Sequence, residues 1–298
     1  MAAKGAAYSN NIVQNLDTSS KVYAVIGDPI AHSKSPLMHN AALQEMEVDG
    51  VYTAFHVKPE QLEHAVAGIR ALGLGGVNVT IPHKEQVMAY LDEIDESARV
   101  IGAVNTIVHC EGKLYGYNTD GLGYVRSLQE EMQADIPSSR IVIIGAGGAA
   151  RGIAYALLAE GCKELTIANR TVERAHALAE DLSGFGKVRS VMLNDTPAIP
   201  PQDVDIVIQT TSVGMHPHID EMPVAKEWLQ SHMLVSDIIY NPLETALLQA
   251  AKAQGCRIHN GLGMFVHQGA IAFELWTGMK APTELMRQKV LETLNCKQ

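Results

Sequence analysis

A cluster of glycines between an apolar run and a helical pattern has the composition of a phosphate-binding turn. The run 141–144 is followed by Gly145-Ala146-Gly147-Gly148-Ala149, and the helical pattern continues to about Glu160. Glycines let the backbone turn tightly and approach a pyrophosphate at a helix N-terminus. Ala150 stands where such motifs often have a third glycine, a position that tolerates alanine when helix and strand pack closely. The segment therefore predicts a dinucleotide site at the end of a buried strand.

The residues after the next predicted strand indicate which dinucleotide this site prefers. Strand 165–168 ends at Asn169, where NAD sites carry an acid that binds the ribose 2′-hydroxyl. Arg170 and Arg174 follow, on either side of Thr171, and a guanidinium donates two hydrogen bonds at once to a phosphate. These residues favour NADP(H) over NAD(H). The alternative is a glycine-rich turn followed by solvated arginines.

Hydride transfer to a carbonyl carbon also needs a group that supplies a proton, and Lys84 is the first candidate. It follows the segment 78–83, in which a predicted strand ends at a proline-stopped turn. Asp120 lies where a predicted strand gives way to a helix, and its carboxylate would orient the lysine through a hydrogen bond. The alternatives are a solvated lysine in a first helical turn and an aspartate that caps a helix.

Hydroxyl and amide side chains recur at predicted loop positions, in a combination that suits a polyhydroxylated anion. They are Ser33, Ser35, Asn78, Thr80, Asn105, Thr106, Asn118 and Thr119. Ser35 before Pro36 also fits the start of a helix. Tyr240 follows a predicted strand and Gln268 lies on a late helix, so both can present polar groups to a cleft. The alternative is that the side chains of Tyr240 and Gln268 are packed in the core or solvated and contact no ligand.

Composition limits the partners of the chain. Its 298 residues are 47% hydrophobic and 19% charged, which is ordinary for a globular protein of about two domains. A net charge of -10 argues against a nucleic-acid or anionic-membrane surface. We expect a small-molecule substrate, no nucleic acid and no membrane, because no apolar run approaches the roughly 18 residues that span a bilayer. The sequence is compatible with a homodimer and does not decide the oligomeric state.

Cysteine and histidine spacing indicates neither disulfides nor a metal. The four cysteines are widely separated, at Cys110, Cys162, Cys256 and Cys296, which favours a reducing cytoplasm. His216 and His218 lie in a loop and are expected to be solvated. The first twenty residues lack the apolar segment of a signal peptide.

Strand-like and helix-like segments alternate along the chain, which predicts an α/β protein with parallel sheets and helices on their faces. The predicted strands are 22–26, 51–55, 77–80, 103–108, 113–117, 141–144, 165–168, 188–192, 205–209, 235–239 and 257–258. Glu111-Gly112 predicts a hairpin between the strands 103–108 and 113–117. The predicted helices include 36–48, 60–72, 148–160, 244–254, 263–278 and 283–294.

Three segments of different function are expected. Residues 1–120 would form a substrate domain, preceded by a loosely ordered tail over about residues 1–20. Residues 121–260 would form an NADP-binding Rossmann domain, and 261–298 would be helices that pack back on the first domain. A cleft between the two domains would then hold the active site.

Six blocks of the sequence resemble the signature segments of the shikimate dehydrogenase family. They are 33–36, 78–84, 102–106, 117–121, 211–215 and 240–245, and they run in the family's order between about residues 21 and 278. The resemblance implies a reversible, NADPH-dependent reduction of 3-dehydroshikimate to shikimate, in the route to chorismate and aromatic amino acids. Gln209, where the family often has asparagine, and a longer leader before Lys21 depart from the pattern.

The resemblance also implies roles for individual residues. Lys84 would be the catalytic acid/base, paired with Asp120. Shikimate would be contacted by Ser33, Ser35, Asn78, Thr80, Lys84, Asn105, Asp120, Tyr240 and Gln268. NADPH would be contacted by Gly145, Ala146, Gly147, Gly148, Ala149, Asn169, Arg170, Thr171, Arg174, Thr210, Ile238 and Gly261. Glu96 matches a position sometimes assigned to the cofactor, for which the sequence offers no physical reason.

Three other functions stay open. A dual quinate/shikimate dehydrogenase that uses NAD is the nearest, and Arg170 and Arg174 argue against it. Methylene-tetrahydrofolate dehydrogenases share the two-domain plan and a catalytic lysine, but the hydroxyl and amide cluster fits a sugar-like acid better than a pterin. A sensor that binds a shikimate-like ligand without turnover is the third, and the presence of Lys84 and Asp120 argues against it.

Overall fold

The computed structural model describes residues 16–194 and 199–295. Most of the predicted tail, residues 1–15, lies outside the described residues, as does Cys296. The first part of the chain contains β1 (Lys21–Gly27), α1 (Ser35–Glu45), β2 (Gly50–His56), α2 (Leu62–Ala71), β3 (Gly76–Val79), β4 (Glu93–Ile94), α3 (Glu96–Ile101), β5 (Thr106–Cys110), β6 (Lys113–Tyr117) and α4 (Asp120–Met132).

The second part of the chain contains a further set of alternating strands and helices. They are β7 (Arg140–Ile144), α5 (Gly148–Ala159), β8 (Glu164–Asn169), α6 (Val172–Leu182), β9 (Val188–Met192), β10 (Ile206–Gln209), β11 (Leu234–Asp237), α7 (Ala246–Ala253), β12 (Arg257–His259), α8 (Leu262–Thr277) and α9 (Thr283–Asn295). The α/β class predicted from the alternation is confirmed. None of the helices in the described ranges has the length and apolarity that a bilayer crossing needs.

The first sheet is mixed, which departs from the prediction of parallel sheets but contains the hairpin predicted at Glu111-Gly112. Its strand order is β2-β1-β3-β5-β6-β4, and β5 runs antiparallel to both β3 and β6. Only Glu111 and Gly112 separate β5 from β6, and both have positive φ, 50° and 79°. A two-residue turn of this kind forces a hairpin, because a parallel pair needs a long crossover. The strand predicted over 103–108 begins only at Thr106.

The second sheet is parallel throughout, as predicted. Its strand order is β9-β8-β7-β10-β11-β12. From β7 the chain adds β8 and β9 on one side of the sheet. It then returns to add β10, β11 and β12 on the other side, so the strand order reverses between β7 and β10. Open α/β sheets bind ligands in the crevice at the carboxyl ends of such strands.

Helices α8 and α9 follow the second sheet in the chain but pack against the first. Val266 and Phe273 of α8 and Met286 of α9 share one hydrophobic cluster with Tyr23 of β1 and Met38 of α1. Helix α4 packs against both α5 and α8, so it lies between the two parts of the molecule. The predicted domain boundaries at 120/121 and 260/261 stay a prediction.

Candidate active site

A cavity of about 410 Å³ lies where the carboxyl ends of β1 and β3 meet α8 and the loop after β11. Its lining includes every residue predicted to contact the substrate, namely Ser33, Ser35, Asn78, Thr80, Lys84, Asn105, Asp120, Tyr240 and Gln268. Ile238 and Gly261, predicted on the cofactor side, line it too. Residues from four distant parts of the sequence therefore meet in one cleft.

Lys84 and Asp120 form an ion pair in the wall of this cavity. Lys84 lies in the turn region after β3, and Asp120 is the first residue of α4, after the cap position Thr119. The Nζ atom of Lys84 lies 2.6 Å from Oδ2 of Asp120, with side chains 29% and 19% exposed. The lysine is therefore neither free in solvent nor far from a carboxylate, and Asp120 does not act as the helix cap.

Asn105 holds the second oxygen of the Asp120 carboxylate. Its Nδ2 donates to Oδ1 of Asp120 at 2.8 Å and to Oγ1 of Thr119 at 3.0 Å. Its Oδ1 accepts from the backbone N–H of Thr119 at 2.9 Å and from Thr106 Oγ1 at 3.0 Å. Both amide hydrogens are used within the protein, so Asn105 acts mainly as a support for the carboxylate.

The start of α1 brings two serines and a lysine to the cavity. Ser33 Oγ accepts from the backbone N–H of Ser35 at 3.3 Å, so Ser33 supports the first turn of the helix. Lys34 occupies the cap position and lines the cavity, and its side chain forms no ion pair with the described residues. Lys34 was not among the predicted site residues. Its position between Ser33 and Ser35, two predicted substrate residues, is the sequence signal that could have indicated a role for it in the site.

The loop after β11 is fixed by a buried carboxylate. Asp237 accepts hydrogen bonds from Ile239 N–H at 3.0 Å and from the Thr245 hydroxyl at 2.7 Å. Burial raises the pKa of Asp237 to about 6, although both hydrogen bonds favour the ionised form. The loop carries Tyr240, whose ring stacks on Phe265 of α8 at 5.0 Å. Asp237 thereby orients one wall of the cavity.

Gln268 lies one turn along α8 from that stack. Its Nε2 donates to the backbone oxygen of Phe265 at 2.8 Å. One amide hydrogen and the amide oxygen remain available on the cavity side, because an amide group carries two donors and an acceptor. Gln268 can therefore both donate to and accept from a hydroxyl group.

Two glycines permit close backbone approach on the cofactor side. Gly145 follows β7 with φ 115°, and a Cβ there would lie 2.4 Å from Thr210 Oγ1. A Cβ at Gly261 would lie 1.9 Å from the backbone oxygen of Ile238. Any side chain at either position would displace a residue predicted to contact NADPH. These glycines are required by packing, not only by a sequence motif.

The N-terminus of α5 has room for a pyrophosphate. Gly147 is the cap residue and Gly148 begins the helix, and a Cβ built on either would meet no described atom within 4 Å. The backbone N–H groups of a first helical turn lack intrahelical acceptors and attract anions. Ala146 and Ala149 belong to the same turn. The geometry fits the dinucleotide that the glycine motif predicts.

The segment after β8 presents two arginines. Arg170 and Arg174 are exposed, and their side chains form no ion pair with the described residues. Asn169 Nδ2 donates to the backbone oxygen of Thr171 at 2.8 Å, which fixes the turn that carries them. Free guanidinium groups and the absence of an acid at this strand end suit a 2′-phosphate.

Gln209, a departure from the family pattern, organises the loop that starts at Thr210. Its buried amide accepts from Thr211 N–H and donates to the backbone oxygen of Val213, both at 2.8 Å. Thr210 Oγ1 donates to the backbone oxygen of Ile144 at 2.7 Å. The glutamine thus fixes the backbone of the loop beside the glycine turn.

Three other polar residues lie apart from the cavity wall. Glu96 is exposed in the first turn of α3, which packs against α5. His83 is buried, with Nε2 2.6 Å from the backbone oxygen of Val57. His218 is exposed and lies 3.6 Å from Glu221. Across residues 16–194 and 199–295, no group of histidine, cysteine and carboxylate side chains could hold a metal ion.

Known families match both parts of the chain. Residues 25–107 match the shikimate dehydrogenase substrate binding domain, residues 127–243 match shikimate / quinate 5-dehydrogenase, and residues 261–291 match the shikimate 5′-dehydrogenase C-terminal domain. The first match contains the end of β1, the whole of β2 and β3, and Lys84, and the second contains the glycine turn.

Individual relatives agree with these matches over nearly the whole chain. The shikimate dehydrogenase (NADP(+)) of Geobacillus sp. (strain WCH70) is 52% identical over 274 residues, 92% of this chain and 99% of the relative. A crystal structure of a shikimate dehydrogenase in complex with NADP+ has a TM-score of 0.87 at 45% identity, covering 94% of this chain and 97% of that one.

A second solved structure is equally similar in fold. The shikimate 5-dehydrogenase from Listeria monocytogenes, in complex with shikimate and NAD, has a TM-score of 0.89 at 36% identity and covers 94% of this chain and 100% of that one. Matches of this identity and coverage extend across both sheets and the returning helices. The chain therefore belongs to the shikimate dehydrogenase family of oxidoreductases.

Proposed function

We propose that this chain catalyses the reversible reduction of 3-dehydroshikimate to shikimate with NADPH, in the route to chorismate and aromatic amino acids. The observation that carries the proposal is the Lys84–Asp120 pair, 2.6 Å apart in the wall of a cavity lined by hydroxyl and amide groups. The names of the relatives support the same substrate and cofactor.

The pair supplies the proton that accompanies hydride transfer. NADPH, when bound, supplies the hydride that reaches the carbonyl carbon in reduction. Lys84 donates a proton from Nζ to the carbonyl oxygen, and in the reverse direction neutral Lys84 takes the hydroxyl proton. Asp120 holds Nζ in place and stabilises the charged lysine, while Asn105 fixes the second carboxylate oxygen.

The remaining lining groups bind and orient the substrate. Ser33, Ser35, Asn78, Thr80, Tyr240 and Gln268 would contact its hydroxyl and carboxylate groups. A polyhydroxylated ring requires several donors and acceptors at fixed positions, and a site left with unpaired polar groups rejects analogues that lack a hydroxyl. The volume of about 410 Å³ suits a small cyclic acid beside a nicotinamide ring.

NADP(H) would lie across the carboxyl edge of the second sheet. The α5 N-terminus would bind the pyrophosphate through Gly147 and Gly148, and Arg170 and Arg174 would bind the 2′-phosphate. Thr210, Ile238 and Gly261 would contact the nicotinamide half. A cofactor contact from Glu96 stays a prediction, and so does a homodimer. The cytoplasm is the expected compartment, because the described cysteines are free thiols.

Initial rates of NADP reduction decide the proposal. Shikimate and quinate are each tested with NADP and with NAD, by absorbance of the reduced nicotinamide. High kcat/KM with shikimate and NADP alone supports the proposed reaction and cofactor. Comparable rates with NAD or quinate would assign the chain to the dual-specificity dehydrogenases. Binding of shikimate without turnover in any combination would contradict catalysis and revive the sensor function.

A further inference from the structure

The hydroxyl group of Tyr52 lies directly behind the wall of the cavity. Tyr52 belongs to β2, is 2% exposed and donates to Oδ1 of Asn78 at 2.7 Å. Burial raises the pKa of Tyr52 well above its ordinary value, and a hydrogen bond with the Ser35 side chain opposes this shift in part. The hydroxyl therefore stays protonated and remains a donor at every working pH.

The amide of Asn78 is fixed from both sides. Its Nδ2 donates to the backbone oxygen of Asn105 at 3.3 Å and to Oγ1 of Thr106 at 3.1 Å. Both amide hydrogens are thus used inside the protein, and one lone pair of Oδ1 is taken by Tyr52. An amide oxygen accepts two hydrogen bonds, so a single acceptor position of Asn78 remains for a ligand.

The ring of Tyr52 is held by stacking. His39 lies parallel to it, with centroids 4.3 Å apart and planes 6° apart. Trp276 of α8 is tilted against it at 6.0 Å, and its Nε1 donates to the backbone oxygen of Ile107 at 2.9 Å. The hydroxyl of Tyr52 therefore has a fixed position, which costs no reorganisation when a ligand binds.

We propose that Tyr52 is a positioning residue for substrate recognition: its hydroxyl fixes the Asn78 amide so that Oδ1 accepts a hydrogen bond from a hydroxyl group of the substrate. The inference rests on the proposed function, because it explains how one wall of the same cavity recognises a hydroxyl group of the substrate ring. Tyr52 itself does not line the cavity, so it acts through Asn78.

Tyr52→Phe tests the proposal, because it removes the hydroxyl and keeps the stacking ring. We expect KM for shikimate to rise about tenfold, with a smaller change in kcat and no change in KM for NADP. The matched control is Tyr23→Phe. Tyr23 stacks on the same Trp276 at 5.2 Å, is 5% exposed and has no side-chain hydrogen bond with the described residues. It should leave both KM values unchanged.

A double-mutant cycle separates positioning from general loss of stability. If Tyr52 acts through Asn78, Tyr52→Phe should raise KM for shikimate in the wild-type background and leave it unchanged in Asn78→Ala. An equal effect in both backgrounds overturns the proposal, and so does an unchanged KM in the single variant. Should Tyr52→Phe not fold, Thr106→Val is used instead, because it removes the hydrogen bond that holds Nδ2 of the same amide. It should raise KM for shikimate in the wild-type background and leave KM unchanged in Asn78→Ala.

The wild-type rates keep the two proposals apart. If wild-type protein and Tyr23→Phe turn over shikimate normally while Tyr52→Phe matches them, only the positioning role of Tyr52 fails. If neither wild-type protein nor the control variant turns over shikimate, the proposed function fails. In that case the binding of shikimate is measured directly by calorimetry. We expect Tyr52→Phe to lose affinity about tenfold, and an unchanged affinity would overturn the Tyr52 proposal.

Discussion

The ammonium group of Lys84 and the carboxylate of Asp120 are in contact at 2.6 Å, although the two residues are 36 positions apart in the sequence. The contact joins the end of β3 to the first turn of α4. Asn105 binds the carboxylate oxygen that the lysine leaves free. A charge pair that is partly buried and supported in this way keeps a fixed geometry, as acid/base catalysis requires.

Replacing Lys84 by alanine should remove the proton donor without emptying the binding site. We expect kcat to fall by about 10²- to 10⁴-fold, with a smaller change in KM for shikimate. Steady-state rates in both directions measure this. Lys113→Ala, at the exposed first position of β6, is the matched control and should behave like wild-type protein. Near-normal turnover by Lys84→Ala would rule out the lysine as the acid/base.

Replacing both Arg170 and Arg174 by glutamine should weaken NADP binding selectively. The variant loses the charged donors to the 2′-phosphate, so kcat/KM for NADP should fall by about tenfold or more. The value for NAD, which lacks this phosphate, should stay the same. Arg189→Gln serves as the control, because Arg189 lies in the same domain but pairs with Glu164. Equal losses with both cofactors would show that the arginines act on stability instead.

Lys34 should attract the substrate carboxylate. Its cation lines the cavity without an ion pair in the described residues, in a chain with a net charge of -10. We expect Lys34→Gln to raise KM for shikimate about threefold or more at low salt, and the difference should shrink as salt screens the charge. Lys58→Gln, on the exposed loop after β2, is the control. A salt-independent KM in wild-type protein would contradict the attraction.

His39 should make the first domain sensitive to acid. Burial lowers the pKa of His39 from 6.5 to about 3, and neither ring nitrogen has a hydrogen-bond partner in the described residues. The unfolded chain therefore takes up a proton as pH falls through 6.5, while the native state does not. At about pH 5 this costs about 2 kcal/mol of stability relative to neutral pH.

The variant His39→Phe keeps an aromatic ring against Tyr52 and removes the titration. We expect its free energy of unfolding to lose about 2 kcal/mol less than wild-type protein between neutral pH and about pH 5. Urea unfolding across that range measures the difference. His259, whose pKa burial lowers to about 4, leaves a residual slope in the variant. His64→Phe on the exposed face of α2 is the control, and an unchanged slope in His39→Phe would contradict the argument.

The glycine turn was predictable because its signals are local. The apolar run before Gly145 and the helix after Gly148 mark a strand, a turn and a helix within one short stretch. The parallel second sheet follows from the same alternation. The first sheet departs from that alternation because the turn at Glu111 and Gly112 joins β5 to β6 without a crossover, so the two strands are antiparallel. The hairpin itself was predicted from the sequence, because a short turn that contains glycine between two strand patterns is a local signal.

The meeting of the cavity residues depended on tertiary structure. The resemblance to a family supplied the full set, whereas the local sequence proposed Lys84 and Asp120 as a pair but left open a solvated lysine and a helix cap. Tyr52 and its partner Asn78 are 26 positions apart, and the pattern of β2 marks the tyrosine only as buried. Lys34 lies within the segment 33–36 that resembles the family but fits the start of a helix equally well. Contacts between distant segments are not encoded in local periodicity, so these two roles appear only once the sheet is assembled.

The return of α8 and α9 to the first sheet sets an order of folding during synthesis. The cluster that joins Tyr23 and Met38 to Phe273 and Met286 spans the whole second domain in sequence. A nascent chain therefore completes the dinucleotide-binding sheet while the first sheet still exposes the surface that these helices cover. The first domain begins earlier at the ribosome but closes later. Until α8 and α9 are made, its apolar face stays open to chaperones and proteases.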